Sequence, residues 1–368
     1  MRLVYVAHSI ESCWNHGNAH FLRGILAELQ ARGNDVTALA PAESWSLDNL
    51  LRDHGEAGLG AYRAAYPGLR ARNYRNADDL VSAIDAADLV IVHEWTDPWV
   101  VAAIGRARRA GGRFRLLFHD THHRAMSDPE AIRRFDLQDF DGVLAFGAAL
   151  AAVYQQWGWD RRVFVWHEAA DTRLFRPPAA EVSREGLVWI GNWGDDERSE
   201  ELEHFLLRPT RDAGLALDIH GVRYPDAALG KLAALGARYR GWLPNARAPE
   251  IFARHLATVH VPRRFYVQML PGIPTIRVFE ALACGIPLLS APWEDAEHLF
   301  RPGQDYLVAR DEGEMLRHMR AIRADAGLRA ALAASGLETI RARHTCAHRV
   351  DELLAILAQL RMPEEAGA

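Results

Sequence analysis

A chain of 368 residues with 49% hydrophobic and 25% charged side chains is too long for one ordinary core and shows no bias toward disorder, so two folded domains are expected. A formal net charge of −5 argues against a nucleic-acid binder. Lys231 is the only lysine, so positive charge here means arginine, the residue suited to bidentate phosphate contacts.

The apolar run over residues 3–7 reads as a buried strand, followed by a polar loop over 8–18. Phe21, Leu22, Ile25, Leu26 and Leu29 recur at helical spacing, predicting an amphipathic helix over 19–32 that Gly33-Asn34 closes before a strand over 36–39. Further buried strands are predicted over 89–92, 115–118 and 143–146. Alternation of this kind predicts a parallel, doubly wound sheet whose ligands sit beyond the carboxyl ends of the strands.

Three loops after strands therefore matter. The first holds His16-Gly17-Asn18, where Gly17 lets the backbone approach a ligand and Asn18 can cap the helix; the alternative is a simple turn and cap. The second holds His93, Glu94 and Trp95, an indole beside a carboxylate that suits a sugar or another acceptor, or else an ordinary half-buried tryptophan. The third, His119-Asp120-Thr121-His122-His123, is the densest ionisable cluster, in which Asp120 can orient an imidazole or contact a hydroxyl. Neighbours on one loop rarely converge on one ion, so no metal site is expected.

A linker with two prolines spans 167–178, which divides the chain into a first domain over 1–170, a linker over 171–180 and a second domain over 181–345. The segment 346–368 is expected as a helix returning to the first domain. The second domain repeats the alternation: a strand over 187–190 ending in Gly191-Asn192-Trp193-Gly194, a helix around 199–207, and a strand over 216–220. Next come the turn Gly241-Trp242-Leu243-Pro244, a helix over 248–255 and a strand over 258–261 with Arg263 and Arg264 just beyond it. The loop Leu270-Pro271-Gly272-Ile273-Pro274 can present backbone N–H groups to a sugar or phosphate. A short helix then starts at Thr275-Ile276 and stops at Gly285. Its first amides and dipole suit phosphate, Arg277 adds a cation, and Glu280, one turn on, can accept two hydrogen bonds from hydroxyls such as those of a ribose. The alternative is an exposed i,i+3 ion pair. The tail over 328–360 reads as helix with a break near 344–348.

Cys13, Cys284 and Cys346 are odd in number and widely spaced, which argues against disulfides or zinc and makes a cytoplasmic, reducing setting the expectation. No signal-peptide layout and no run near ~18 apolar residues stands in the sequence, so no transmembrane segment is expected, while peripheral membrane contact stays open. No Gly-x-Gly-x-x-Gly follows the first strand, which disfavours a dehydrogenase.

The succession of strand–Gly, Gly241-Trp-Leu-Pro244 and Phe279-Glu280-Ala-Leu-Ala-Cys-Gly285-Ile-Pro287 resembles the GT-B glycosyltransferases, especially glycosyltransferase family 4 and its CgeB-like relatives. The resemblance implies an α/β GT-B fold, two Rossmann-like doubly wound domains facing a central cleft. It also implies transfer of a sugar from a nucleoside-diphosphate sugar, the co-substrate, to an acceptor, in carbohydrate biosynthesis and without metal or further cofactor. Carried over by position, Glu280 would hold the ribose, Trp242 and Leu243 would flank the base, and the turn at Asn192 would lead to Arg198 at the diphosphate; Arg263, Arg264 and Arg277 with the helix start could supply the remaining charge there. By the same carry-over His119 would stand near the donor sugar and Gly17 at the reaction centre; from their own chemistry Asp120 is placed beside His119, and His16, Asn18, His93, Glu94 and Trp95 are placed on the acceptor side. Four departures stand out. His16-Gly17 replaces a Gly-Gly pair, Glu168-Ala-Ala replaces a glycine-containing linker turn, and an acidic stretch precedes Arg198 where an Arg/Lys pair is usual. Gly272 occupies the place of a second Glu in retaining members, which leaves retention or inversion open. A donor-binding protein without transferase activity and a sugar-nucleotide epimerase are the other readings.

Overall fold

Short apolar strands buried on both faces need a helix layer on each side, and in the computed structural model, which describes residues 1–159, 162–194 and 197–360, they form two such sheets. The first contains β1 (Arg2–Val6), β2 (Asp35–Pro41), β3 (Ala71–Tyr74), β4 (Leu89–His93), β5 (Arg115–Asp120), β6 (Gly142–Ala145) and β7 (Val163–Val165), in the order β3-β2-β1-β4-β5-β6-β7. The second contains β8 (Leu187–Ile190), β9 (Leu217–His220), β10 (Arg238–Tyr239), β11 (Ala257–His260), β12 (Leu288–Ser290) and β13 (Leu307–Val308), in the order β10-β9-β8-β11-β12-β13. Every pairing is parallel. In each sheet the order reverses beside its first strand, between β1 and β4 and between β8 and β11, so the loops that follow part and leave a crevice.

The helix Ala19–Ala31 turns Phe21, Leu22, Ile25 and Leu26 into the core beside β1. Two long helices, Ala326–Arg343 and Cys346–Gln359, end the described chain, parted at His344 where the backbone leaves helical geometry and Thr345 caps the second one. That last helix packs on Ala19–Ala31 of the first sheet's layer, and the Trp166 indole N–H donates to the Arg349 carbonyl at 2.8 Å. The approach is close enough to require glycine. A Cβ on Gly24 would lie 2.6 Å from Cys346 Sγ and 2.7 Å from Asp171 Cβ. One buried cluster containing Tyr5, Phe21, Trp166, Phe175, Phe279 and Val350 therefore runs from the first sheet through the linker into the second. Among the described residues no helix is long and apolar enough to cross a membrane.

Candidate functional site

The two crevices face each other across a cleft of about 810 Å³. The loop after β1 spans it. Asn15, in the left-handed region that asparagine tolerates (φ 51°), accepts a hydrogen bond from the Asn192 side chain. Cys13 Sγ accepts from the Asn245 amide at 3.3 Å, and a Cβ on Gly17 would lie 3.9 Å from Ile276 Cγ2. His54 stacks on Trp242 with ring centroids 4.6 Å apart. Asn192 also accepts from the Val222 amide at 3.0 Å, so one side chain ties β8, β9 and the opposite domain together.

One wall of the cleft is cationic. Arg198, Arg263 and Arg277 all line it. Arg198 donates to the carbonyls of Val261 (2.9 Å) and Asn192 (2.6 Å); burial, then Arg263 and Arg277, push its guanidinium down to about 10. Arg263 pairs with Glu197 at 3.3 Å, whereas Arg264 pairs with Glu201 at 2.7 Å and does not line the cleft. Beside them begins the helix Ile276–Ala283. Thr275 is its N-cap residue, but the side chain leaves the helix start uncapped and instead meets His260 Nε2 at 3.0 Å. Burial, then Arg198 and Arg277, push His260 down to about 3, so it is a neutral spacer. Clustered guanidiniums and an uncapped helix start have the chemistry to receive an anion.

Glu280 sits just behind this wall, not in it. Its carboxylate is fully buried, with Oε1 accepting from His20 Nδ1 (3.0 Å) and Asn245 Nδ2 (2.8 Å) and Oε2 paired with Arg277. The Asp171 amide donates to His20 Nε2 at 3.0 Å, so the imidazole proton belongs on Nδ1 and is given to Glu280. Burial alone would raise the Glu280 carboxyl, but Arg277, His20 and Asn245 hold it below the usual carboxylate range. The i,i+3 ion pair thus exists and is buried, joining the linker and both domains.

Of the residues singled out in the sequence, Gly17, His16, Asn18, Trp95, Asn192, Arg198, Trp242, Leu243, Arg263, Thr275, Ile276 and Arg277 line the cleft. His119, Asp120, His93 and Glu94 do not. All four are fully buried, because the ends of β4 and β5 are central strands with both faces covered. His119 Nδ1 meets the Tyr5 hydroxyl at 2.7 Å, and the ring lies 4.8 Å from Trp166. Asp120 accepts from the His122 amide (3.0 Å) and the Tyr154 hydroxyl (2.7 Å), and burial pushes it up to about 6. His93 Nε2 meets Thr121 Oγ1 at 3.0 Å. Glu94 pairs with Arg124, and burial, then Asp120, push it up to about 8. The Arg124 guanidinium in turn lies 3.9 Å over the Trp95 ring, holding that half-exposed indole at the cleft. Asn18 stands at the N-cap, but its side chain accepts no hydrogen bond from the helix amides and instead donates to Thr121 Oγ1 at 2.7 Å. Gly272 also misses the cleft: at φ 87°, a Cβ there would lie 3.1 Å from Glu297 Cγ. No group of three His, Cys, Asp or Glu arranged to hold a metal ion occurs among the described residues.

Several lining residues went unread. His8 follows the first strand directly and was legible only as part of that loop; Glu168 shows in the sequence only as a departure in the linker. His220 is marked only as the last residue of the strand predicted over 216–220, and Asn245 and Tyr266 carry no local signal at all. The His8 and His16 rings lie 4.3 Å apart, and burial pushes His8 down to about 4 and His16 well below its ordinary value.

Residues 17–174 match the model of Glycosyltransferase Family 4, and residues 198–355 match a model described as glycosyl transferase-like. No curated protein matches the chain by sequence. Among solved structures the chain is similar to HepE of Anabaena in complex with UDP and glucose, at 14% identity and a TM-score of 0.69, covering 98% of this chain and 100% of that one. It is similar to the BGT of T4 phage in complex with its UDP-glucose substrate, at 11% identity and a TM-score of 0.60, covering 98% and 100%. An alpha-glucosyltransferase in complex with UDP and a 13-mer DNA shares 12% identity and a TM-score of 0.67, covering 97% and 98%. At such identities the likeness establishes the fold, and two Rossmann-like sheets facing one cleft define the GT-B class. With a glycosyltransferase model matched to each half, the chain is a GT-B glycosyltransferase.

Proposed function

We propose that the cleft binds a nucleoside-diphosphate sugar with its diphosphate on Arg198, Arg263, Arg277 and the start of the helix Ile276–Ala283. The observation that carries this reading is the convergence of three guanidiniums and an uncapped helix start on one wall of the cleft. The base lies between His220-Gly221-Val222 and Trp242-Leu243, and the ribose reaches Glu280 as the phosphates draw Arg277 off Oε2. The transferred sugar then faces Gly17 and the first domain, where His16, Asn18 and Trp95 line the acceptor side. The arginines neutralise the diphosphate as its bond to the sugar breaks, so no metal is required for the leaving group. Cross-cleft contacts from Cys13, Asn15 and Gly17 keep water from the activated sugar.

UDP is the first nucleotide to try, since HepE, the T4 phage enzyme and the DNA-bound alpha-glucosyltransferase hold UDP or UDP-glucose. Calorimetric titration with UDP, GDP, ADP and TDP, with and without a chelator, tests the reading. Binding of one of them at micromolar level, unchanged by the chelator, is expected; binding of none overturns it.

For the stereochemical outcome we propose retention, on the family resemblance. One observation favours inversion instead: His8 Nδ1 and both ring nitrogens of His16 are buried at the cleft without a protein partner, so a neutral imidazole stands ready to take the acceptor hydroxyl proton. The anomeric configuration of the first product, read by NMR, separates the two.

A further inference from the structure

Almost every buried carboxylate near the cleft is committed to protein partners. Glu280 is held by His20, Asn245 and Arg277, Asp120 by Tyr154 and the His122 amide, and Glu94 by Arg124 through Oε2, its unpaired Oε1 lying outside the cleft lining. Glu297, below Gly272, pairs with His167 Nε2 at 2.9 Å and accepts from the Ala148 amide at 2.9 Å. Glu168 is the exception. It leaves the linker just after β7, lines the cleft with Tyr266, Phe146 and Gly17, and is 2% exposed. Its Oε1 is buried with no hydrogen-bond partner, and no cation pairs with it among the described residues. The backbone beneath it is fixed, since its carbonyl accepts from Arg349 Nε of the last helix at 3.3 Å. A buried polar atom left unpaired lowers stability, which calls for a partner supplied from outside the protein.

We infer that the Glu168 carboxyl is a subsite for hydroxyl groups of the transferred sugar, an assignment that rests on the donor reading above. Beyond the arginine wall the cleft is lined by Gly17, Phe146, Tyr266 and the buried Glu168 carboxyl; the Pro-Gly-Ile-Pro loop turns its glycine toward Glu297 and brings no carboxyl. Burial, then the neighbouring Glu280 charge, push the Glu168 carboxyl well above the ordinary carboxylate range. An uncharged carboxyl donates through its O–H and accepts through its C=O, which matches a vicinal pair of sugar hydroxyls. It also adds no negative charge beside a diphosphate.

The test compares Glu168→Ala, Glu168→Gln and Glu168→Leu with wild type, using whichever nucleoside diphosphate the wild type binds and the corresponding hexose nucleotide. Expected results are unchanged affinity for the free nucleoside diphosphate in all three, and about tenfold weaker binding of the sugar nucleotide by the Ala and Leu variants. Glutamine keeps a donor and an acceptor and should stay within about threefold of wild type. Melting temperatures should not fall for Leu, which fills the same space without an unpaired oxygen. Wild-type affinity for the sugar nucleotide in both folded Ala and Leu variants overturns the inference alone. Equal loss of affinity for the free diphosphate assigns Glu168 to the nucleotide and overturns it too. Failure of the wild type to bind any nucleoside diphosphate overturns the donor reading itself.

Discussion

Arg198 donates to three backbone carbonyls, of Asn192, Trp193 and Val261, and meets no carboxylate at ion-pair distance among the described residues. Its positive charge has no direct counter-ion there; burial, then repulsion from Arg263 and Arg277, lower the guanidinium to about 10, and it stays charged at neutral pH. A diphosphate placed there relieves that repulsion and gains charge-assisted hydrogen bonds. Arg198→Ala is expected to weaken UDP binding by roughly 10- to 100-fold, the loss of one such contact, while uridine, which lacks the phosphates, binds as before. Calorimetry with both ligands checks this; equal loss for both would mean that Arg198 only braces the loop after β8. Residue-level placement also explains why three equally conspicuous imidazoles differ. His119 and His93 are packed among aromatic rings under the cleft, while His16, also buried, forms part of its lining.

Between elements, the docking of the last helix on Ala19–Ala31 is a contact that helix propensity alone would misjudge. Gly24→Ala gains about 1 kcal/mol in an isolated helix. Here the added methyl meets Cys346 Sγ and Asp171 Cβ well inside van der Waals distance, and forced overpacking costs about 1–3 kcal/mol. Both contacts are under 3 Å, so overlap wins: Gly24→Ala should be less stable by up to about 2 kcal/mol, read from urea midpoints. Gly230, in the helix Asp226–Ala234 with nothing within 4 Å of its added Cβ, is the counterpart, and Gly230→Ala should be more stable by up to about 1 kcal/mol. A stabilised Gly24→Ala would show that the two helices part without penalty.

Across the whole molecule, burial holds nine imidazoles below their ordinary value: His8, His16, His93, His119, His122, His123, His220, His260 and His344. In the unfolded chain these groups take up protons as pH falls through about 6.5, while in the folded protein those with values near 3 or 4 stay neutral. The unfolded state therefore binds more protons, and stability drops as pH falls from 6.5 toward 4. Among the described residues four raised carboxyls, Glu94, Asp120, Glu168 and Asp295, act the opposite way. The imidazoles outnumber them, each in excess contributing roughly 1.4 kcal/mol per pH unit. The melting temperature is expected to fall by roughly 5 °C or more between pH 7 and pH 5.5. A flat profile over that interval would mean that the imidazoles protonate in place.

The sequence by itself determined the two α/β halves and the loops and helix start that line the cleft, because central strands and amphipathic helices write their burial into local periodicity. Edge strands were less legible: β3 (Ala71–Tyr74) and β10 (Arg238–Tyr239) are largely exposed and polar, and they are strands only because a neighbour offers unpaired backbone groups. The arginines and turn residues were found by position after a strand or at a helix start. Which strand-end side chains enter the cleft was decided only in three dimensions. With both faces of a parallel sheet covered, alternation no longer separates a residue facing ligand from one facing core, so His119, Asp120, His93 and Glu94 could not be told from His16 and Trp95. Tertiary structure also turned the Arg277–Glu280 pair from a surface feature into a buried knot, since His20 and Asn245 come from segments 260 and 35 residues away. It singled out Glu168 by the same means, because a missing hydrogen-bond partner is a property of everything folded around a group and is written nowhere in its own stretch of chain.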